Sequence, residues 1–176
     1  MKYQTVANPP RVYVACLAAY NNGILHGAWI DCDRSEYEIS SDIEKMLDSS
    51  PVEDAEEWAI HAFENWKGLK IKENEDIEEL ADIAQLVIKY SAAYSAYCSH
   101  CGERITADQF IERYQGEFDS EIKFLEDKWE ETGILDQLQE IGFQYQYIDW
   151  EAIARDEFVN SYLNLDYDGK VYVFNR

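Results

Sequence analysis

Apolar positions along this chain switch between two periods, and the switches mark out its elements. Residues 11–19 (RVYVACLAA) are rich in strand formers, Tyr20-Asn21-Asn22-Gly23 is a strong turn signal, and residues 24–30 can return as the partner strand. That pattern predicts a β-hairpin. Residues 31–38 read as a loop or short strand, after which Ser40 or Ser41 caps a helix burying Ile43, Met46 and Leu47. Ser50-Pro51-Val52-Glu53 combines an N-cap, a proline at the first helical position and a capping-box glutamate. A helix is therefore predicted with Ala55, Trp58, Ala59, Ala62, Phe63 and Trp66 on its apolar face. After a polar connection at 67–73, Asn74 or Glu75 opens a long helix through about Tyr97, with Ile77, Leu80, Ile83, Ala84, Val87 and Ile88 inward.

In the second half, Thr106 with Gln109 reads as a capping box for a helix that buries Phe110, Ile111 and Tyr114 and breaks at Gly116. Ser120 caps the next helix, with Ile122, Leu125 and Trp129 on one stripe and Gly133 as its stop. Ile134, Leu135, Leu138 and Ile141 keep helical spacing up to Gly142, and residues 143–148 (FQYQYI) alternate aromatic and polar residues like a strand or interface ribbon. Asp149 caps a helix over 150–159 with Ile153, Ala154 and Phe158 inside. Residues 162–167, a turn at Asp168-Gly169 and residues 170–174 make a C-terminal hairpin. The predicted fold class is α+β, with β-hairpins near both termini and a helical middle. The connections at 67–73 and 98–102 divide it into an N-terminal α/β subdomain (1–68), a central helical subdomain (69–102) and a C-terminal α+β subdomain (103–176).

Composition changes this picture through charge. A hydrophobic fraction of 47% over 176 residues is ample for a packed core, yet 36 Asp and Glu against 15 Lys and Arg leave a net charge of -21. A magnitude of about 2–8 is enough to keep a small domain soluble. The excess weakens the compact state by self-repulsion and argues against nucleic acid or anionic lipid as direct partners, because those are bound through Lys and Arg. A basic partner is expected. No acid precedes Asp31, so the first thirty residues read as structural. Glu126/Glu130 and Asp127/Glu131 are like-charge pairs four residues apart, each destabilising a helix by roughly 0.2–0.5 kcal/mol. Only part of the acid in the helix opening near residue 75 is explained by the helix macrodipole.

Other chemistry finds little support. No apolar run approaches the roughly 20 residues of a membrane span, the first ten residues lack the apolar stretch of a signal peptide, and a cytoplasmic location is expected. Cys16, Cys32, Cys98 and Cys101 are too few for a disulfide scaffold and are expected to be reduced. Cys98-x-x-Cys101 lacks a second ligand pair for zinc, and His61 with Glu57 and Glu64 lacks the repeat that a di-metal bundle needs. No cofactor, metal site or enzyme activity is expected, since phosphate loops, dinucleotide fingerprints and nucleophile elbows are missing from the sequence. The dense aromatics Tyr145, Tyr147 and Trp150 fit a homodimer surface.

Dispersed carboxylates on helix faces, unlike clustered ones, make an extended negative field. B-DNA carries one charge per ~1.7 Å of axis, so 21 net charges match about 36 Å of duplex. Four blocks then carry a resemblance: residues 11–31 (RVYVACLAAYNNGILHGAWID), 113–121 (RYQGEFDSE) with Phe124, 147–158 (YIDWEAIARDEF) and 171–174 (VYVF). In order and over essentially the whole chain, they resemble the ArdA family of antirestriction proteins. The resemblance implies an elongated three-part protein that dimerises through its C-terminal part. It implies a mimic of bent duplex DNA, occupying the DNA groove of type I restriction-modification enzymes and protecting incoming mobile DNA. The implied partners are the methyltransferase core of such an enzyme and a second copy of the chain.

The acids expected to contribute are Glu73, Glu75, Asp76, Glu79, Asp82, Asp108, Glu112, Glu117, Asp119, Glu126, Asp127, Glu130 and Glu131. The antirestriction and dimer region of the family best matches residues 135–147, giving Leu135, Leu138, Ile141, Phe143, Tyr145 and Tyr147, with Trp150 beside them. An acidic adaptor that binds a basic protein through the aromatic surface at 145–150 is the alternative, and a metal-dependent hydrolase a more distant one.

Overall fold

The computed structural model describes residues 6–167 and 169–176 and divides into two compact units, Met1–Ala107 and Asp108–Arg176. Each carries a three-stranded antiparallel sheet, so the class is α+β with sheets at both ends of the chain. Expectations for Met1 to Thr5 and for Asp168 lie outside the described residues.

In the first unit β1 (Arg11–Cys16) is the central strand, flanked by β2 (Gly27–Asp31) and β3 (Trp58–Glu64). Val12 pairs with Ile30 and Val14 with Ala28, the antiparallel pairing expected of the N-terminal hairpin. Its connection is longer than a tight turn. The apolar run continues into α1 (Leu17–Asn21), a short helix capped by the Cys16 thiol, and Gly23 takes the left-handed φ of +74° after it. The next helix, α2 (Glu36–Asp48), begins five residues before the predicted cap. Ser35 and Glu38 form the complete reciprocal capping box, a signal present in the sequence. It buries Ile39, Ile43 and Met46 and packs against β2.

The helix predicted from Ser50-Pro51-Val52-Glu53 does not form; that stretch is a turn and residues 58–64 are β3. Ser50 Oγ accepts from the amide of Val52, two residues on rather than three, so the hydroxyl closes a turn instead of capping a helix. Strand β1 would otherwise have one unpaired edge. Pairing of Val14 with Ile60 and Ala15 with Ala59 satisfies it, and long-range backbone bonding overrides the local helix signal. Two helices, α3 (Ile77–Tyr90) and α4 (Ala92–Cys101), replace the single one predicted, with a break at Ser91 (φ 52°, ψ -130°). Leu80, Ile83, Ala84 and Val87 are buried as expected, and Ser95 Oγ bonds the carbonyl of buried Trp66, tying α4 to the segment after β3.

The second unit opens with α5 (Ala107–Arg113), which buries Phe110 but leaves Ile111 49% exposed. The chain then enters β4 (Tyr114–Phe118), a strand the sequence reading missed. Gly116, read as a helix breaker, sits at a bulge in β4 with φ +142°, and a Cβ there would lie 2.9 Å from the Phe118 ring. Helices α6 (Glu121–Glu131) and α8 (Trp150–Asn160) have their predicted caps, Ser120 and Asp149. Between them lie α7 (Ile134–Glu140) and, where a ribbon was expected, a single 3-10 turn at Tyr145–Tyr147. Strands β5 (Tyr162–Tyr167) and β6 (Lys170–Asn175) form the predicted C-terminal pair, and β6 is central in the order β4-β6-β5. The core joins Phe124 and Leu125 of α6 to Ala154 and Phe158 of α8, with Tyr162 and Val173 from the sheet.

Candidate functional site

The acids come to the surface because the apolar stripe of each helix is used up by its core. On α3 the inward face is Leu80, Ile83, Ala84 and Val87, which leaves Glu79 and Asp82 outward, with Asp76 at the N-cap accepting from the amide of Glu79 at 3.0 Å. Glu73, Asp108, Glu112, Glu117, Asp119, Glu130 and Glu131 are likewise exposed.

Five of the predicted acids have cationic partners that absorb part of their charge, Glu75 and Glu79 through Arg104 and Glu117, Asp119 and Asp127 through lysines. Lys170 reaches Asp119 at 2.7 Å and Glu117 at 3.9 Å, and Lys123 holds Asp127 at 2.5 Å one helical turn away. The lysine pulls the Asp119 carboxyl below its ordinary range. Glu126 is half-buried and accepts from the phenol of Tyr145, which raises the Tyr145 pKa. The like-charge helix pairs Glu126/Glu130 and Asp127/Glu131 therefore each contain one member with a structural bond. Glu73, Asp76, Asp82, Asp108, Glu112, Glu130 and Glu131 have no ion-pair partner among the described residues.

Glu75 does not belong to the exposed set. Helix α3 starts at Ile77 rather than at residue 75, which frees Glu75 to turn inward, where its side chain is 1% exposed. Arg104 Nη1 lies 2.7 Å from its carboxylate, and the amide of Lys72 donates to it at 3.0 Å. Burial raises the Glu75 pKa, but the arginine and the amide outweigh burial and leave it below 4.5. Its charge is matched inside the fold and presents nothing to a partner.

Acids that the sequence reading left out are also exposed. Glu36, Glu44 and Asp48 lie on the outer side of α2, and Glu53, Asp54, Glu56 and Glu57 lie in the segment after it. Their spacing against the buried Ile39, Ile43 and Met46 was available in the sequence.

The predicted dimer region is the most solvent-exposed apolar part of the second unit. Helix α7 buries no residue; Leu135 and Leu138 are half-buried, Ile141 is 79% exposed and Tyr147 67%. Phe143 and Tyr145 are also exposed. Trp150 belongs partly to the core instead, its ring tilted against Trp129 at 5.1 Å and against Tyr145 at 5.7 Å.

His61 lies on β3, not on a helix, and its ring meets Tyr20 edge-on at 4.9 Å. Cys98 is buried with its thiol pKa raised by that burial, whereas Cys101 is exposed. No group of three His, Cys, Asp or Glu among the described residues is arranged to hold a metal ion. No helix is long and apolar enough to cross a membrane.

Two α+β units, both with outward carboxylates that lack ion-pair partners, make a strongly acidic protein. The particular kind follows from comparison with known families, in which a family model for ArdA, the antirestriction proteins, matches residues 12–171. The chain belongs to the ArdA family. No curated protein matches it.

Proposed function

We propose that this antirestriction protein acts as a stoichiometric DNA mimic, occupying the DNA-binding groove of a type I restriction-modification enzyme at its methyltransferase core. The observation that carries the reading is the set of exposed carboxylates without ion-pair partners, in a family whose name is antirestriction. Such a surface meets the Lys and Arg of a DNA channel with fast, salt-sensitive association and no base readout. The protein works in the cytoplasm, where incoming mobile DNA meets the enzyme, and it catalyses nothing.

The test is to titrate the protein into a methyltransferase core bound to labelled DNA and follow anisotropy at two salt concentrations. Displacement at fixed stoichiometry, weaker at higher salt, is the expected result. Neutralising one exposed acid, as in Glu131→Gln, costs about fivefold or less, since single surface charges contribute roughly 0.2–1 kcal/mol. Complete loss from that one change, with the fold intact, would rule out a distributed surface.

The protein works as a homodimer joined through the exposed apolar residues of the second unit, Ile141 and Tyr147 foremost. Ile141→Asp places a charge in that contact and leaves the monomer core untouched. Sedimentation is expected to show the wild type as a dimer and the variant as a monomer. A monomeric wild type would instead free the same aromatic surface for another protein, the adaptor reading.

A further inference from the structure

Mimicry of a phosphate backbone calls for charge on a convex surface, and one part of the first unit is built differently. A cavity of about 380 Å³ opens between α3 and the segment leading into α5. Carboxylates of Asp76, Glu78, Glu79 and Asp82 stand along one side of it. Ile83, Leu86 and Ile105 supply an apolar floor.

The helix dipole accounts for acids in the first turn of α3, but not for Asp82 in its second turn, four residues from Glu78 and so a like-charge neighbour. The floor has its own fixed support. The Tyr94 hydroxyl donates to the carbonyl of Ile105 at 2.8 Å, and burial holds that phenol in its protonated, donating form. Arg104, on the cavity wall, is anchored by Glu75 and by the carbonyl of Lys70 at 2.5 Å. The site also contains a worked case of its own preference, because Arg104 comes within 3.6 Å of Glu79 while the Glu79 side chain stays 50% exposed. Glu79 keeps acceptor capacity for a second cation at the mouth.

The geometry points to this cavity as the seat for one arginine side chain of the partner enzyme, its methylene stem on Ile83, Leu86 and Ile105 and its guanidinium between Asp82 and Glu79. This rests on the reading of the protein as an inhibitor that enters a basic groove. Charge complementarity selects the occupant, and the apolar floor selects arginine over a hydrated point charge. An arginine with a covered stem and a paired guanidinium is a frequent form of interface hot spot, so this one contact carries more affinity than any open surface acid.

Ala107 is half-buried and lines the cavity, so Ala107→Phe fills it without touching a charge. In the anisotropy titration the variant is expected to need about 30-fold more protein, the usual cost of losing a hot spot, with a salt dependence only slightly flatter than that of the wild type, since one cation is no longer met. Displacement equal to wild type overturns the pocket and leaves mimicry standing. Should Ala107→Phe show a lost melting transition, Asp82→Asn is compared with Glu73→Gln, which removes the same charge away from the cavity. At least a fivefold greater loss for Asp82→Asn is expected, and equal losses overturn the proposal. If wild-type protein displaces no DNA at all, the mimicry reading has failed first, and the arginine seat falls with it.

Discussion

Replacing Glu73, Asp108, Glu112, Glu130 and Glu131 together by their amides is expected to weaken DNA displacement by roughly 50- to 100-fold while leaving the melting temperature unchanged or higher. None of the five has an ion-pair partner among the described residues, and all are exposed. At about 0.5 kcal/mol per surface charge met by a partner's cation, the five contribute about 2.5 kcal/mol to binding. Inside the free protein the same charges repel, and Glu130 and Glu131 each stand one turn from another acid of α6, so their removal does not cost stability. The two readouts must therefore move apart. An inhibitor that loses affinity and gains stability has acids kept for a partner. If binding were untouched, the exposed acids would be solubilising charge only, and if the protein unfolded, they would be structural. The salt dependence of displacement should also flatten, because fewer charges are met across the interface.

How far the sequence revealed this arrangement depended on whether local or distant forces decided each element. Helices α6 and α8 were legible with their caps, since Ser120 and Asp149 bond amides three residues on and the signal is complete within one turn. The N- and C-terminal strand pairs were legible from their turn residues and β-rich flanks. Strand β3 was not. Its residues Ala59 and Ala62, preceded by a proline and a capping pattern, satisfy every local rule for a helix, and only the unpaired edge of β1 decides otherwise. Strand β4 was hidden for a related reason: Tyr114 continues a helical count from Phe110 and Gly116 reads as that helix's end, but β6 needs a second neighbour.

The acidic surface was legible in kind and misread at one position. A count of carboxylates separates acid that a fold can use from acid that it cannot, but it does not say which particular carboxylate turns inward. Glu75 was assigned outward because the helix was started too early. The shift of one or two residues to Asp76 as N-cap sends Glu75 to Arg104, 29 residues away, a pairing that no local rule specifies.

That inward pair is where the largest effect on stability is expected. Arg104→Met leaves the Glu75 carboxylate buried without its counter-charge, and breaking a buried pair from one side costs about 3–5 kcal/mol. For a unit of this size the melting temperature should fall by about 15 °C. The effect depends on pH in a direction fixed by the native shift. In the wild type the arginine holds the Glu75 pKa below 4.5, so the stabilisation it contributes is full above that value and is lost as pH falls through the lowered native one. In the variant burial is opposed only by the Lys72 amide, which moves the carboxyl pKa upward from its wild-type position, so protonation at low pH relieves the penalty. The gap between wild type and variant, measured by urea unfolding, should accordingly be widest near neutral pH and narrow as the pH falls into the range where the carboxyl of the variant takes its proton. Replacing both partners, as Glu75→Leu with Arg104→Met, removes the stranded charge altogether and should recover most of the lost stability, since a well-packed apolar pair is often as stable as a buried ionic one. Recovery in the double variant with retained DNA displacement would place Glu75 wholly in the scaffold. A double variant as unstable as Arg104→Met alone would trace the loss to the Arg104 bond with the Lys70 carbonyl instead, and Glu75 would have no structural claim.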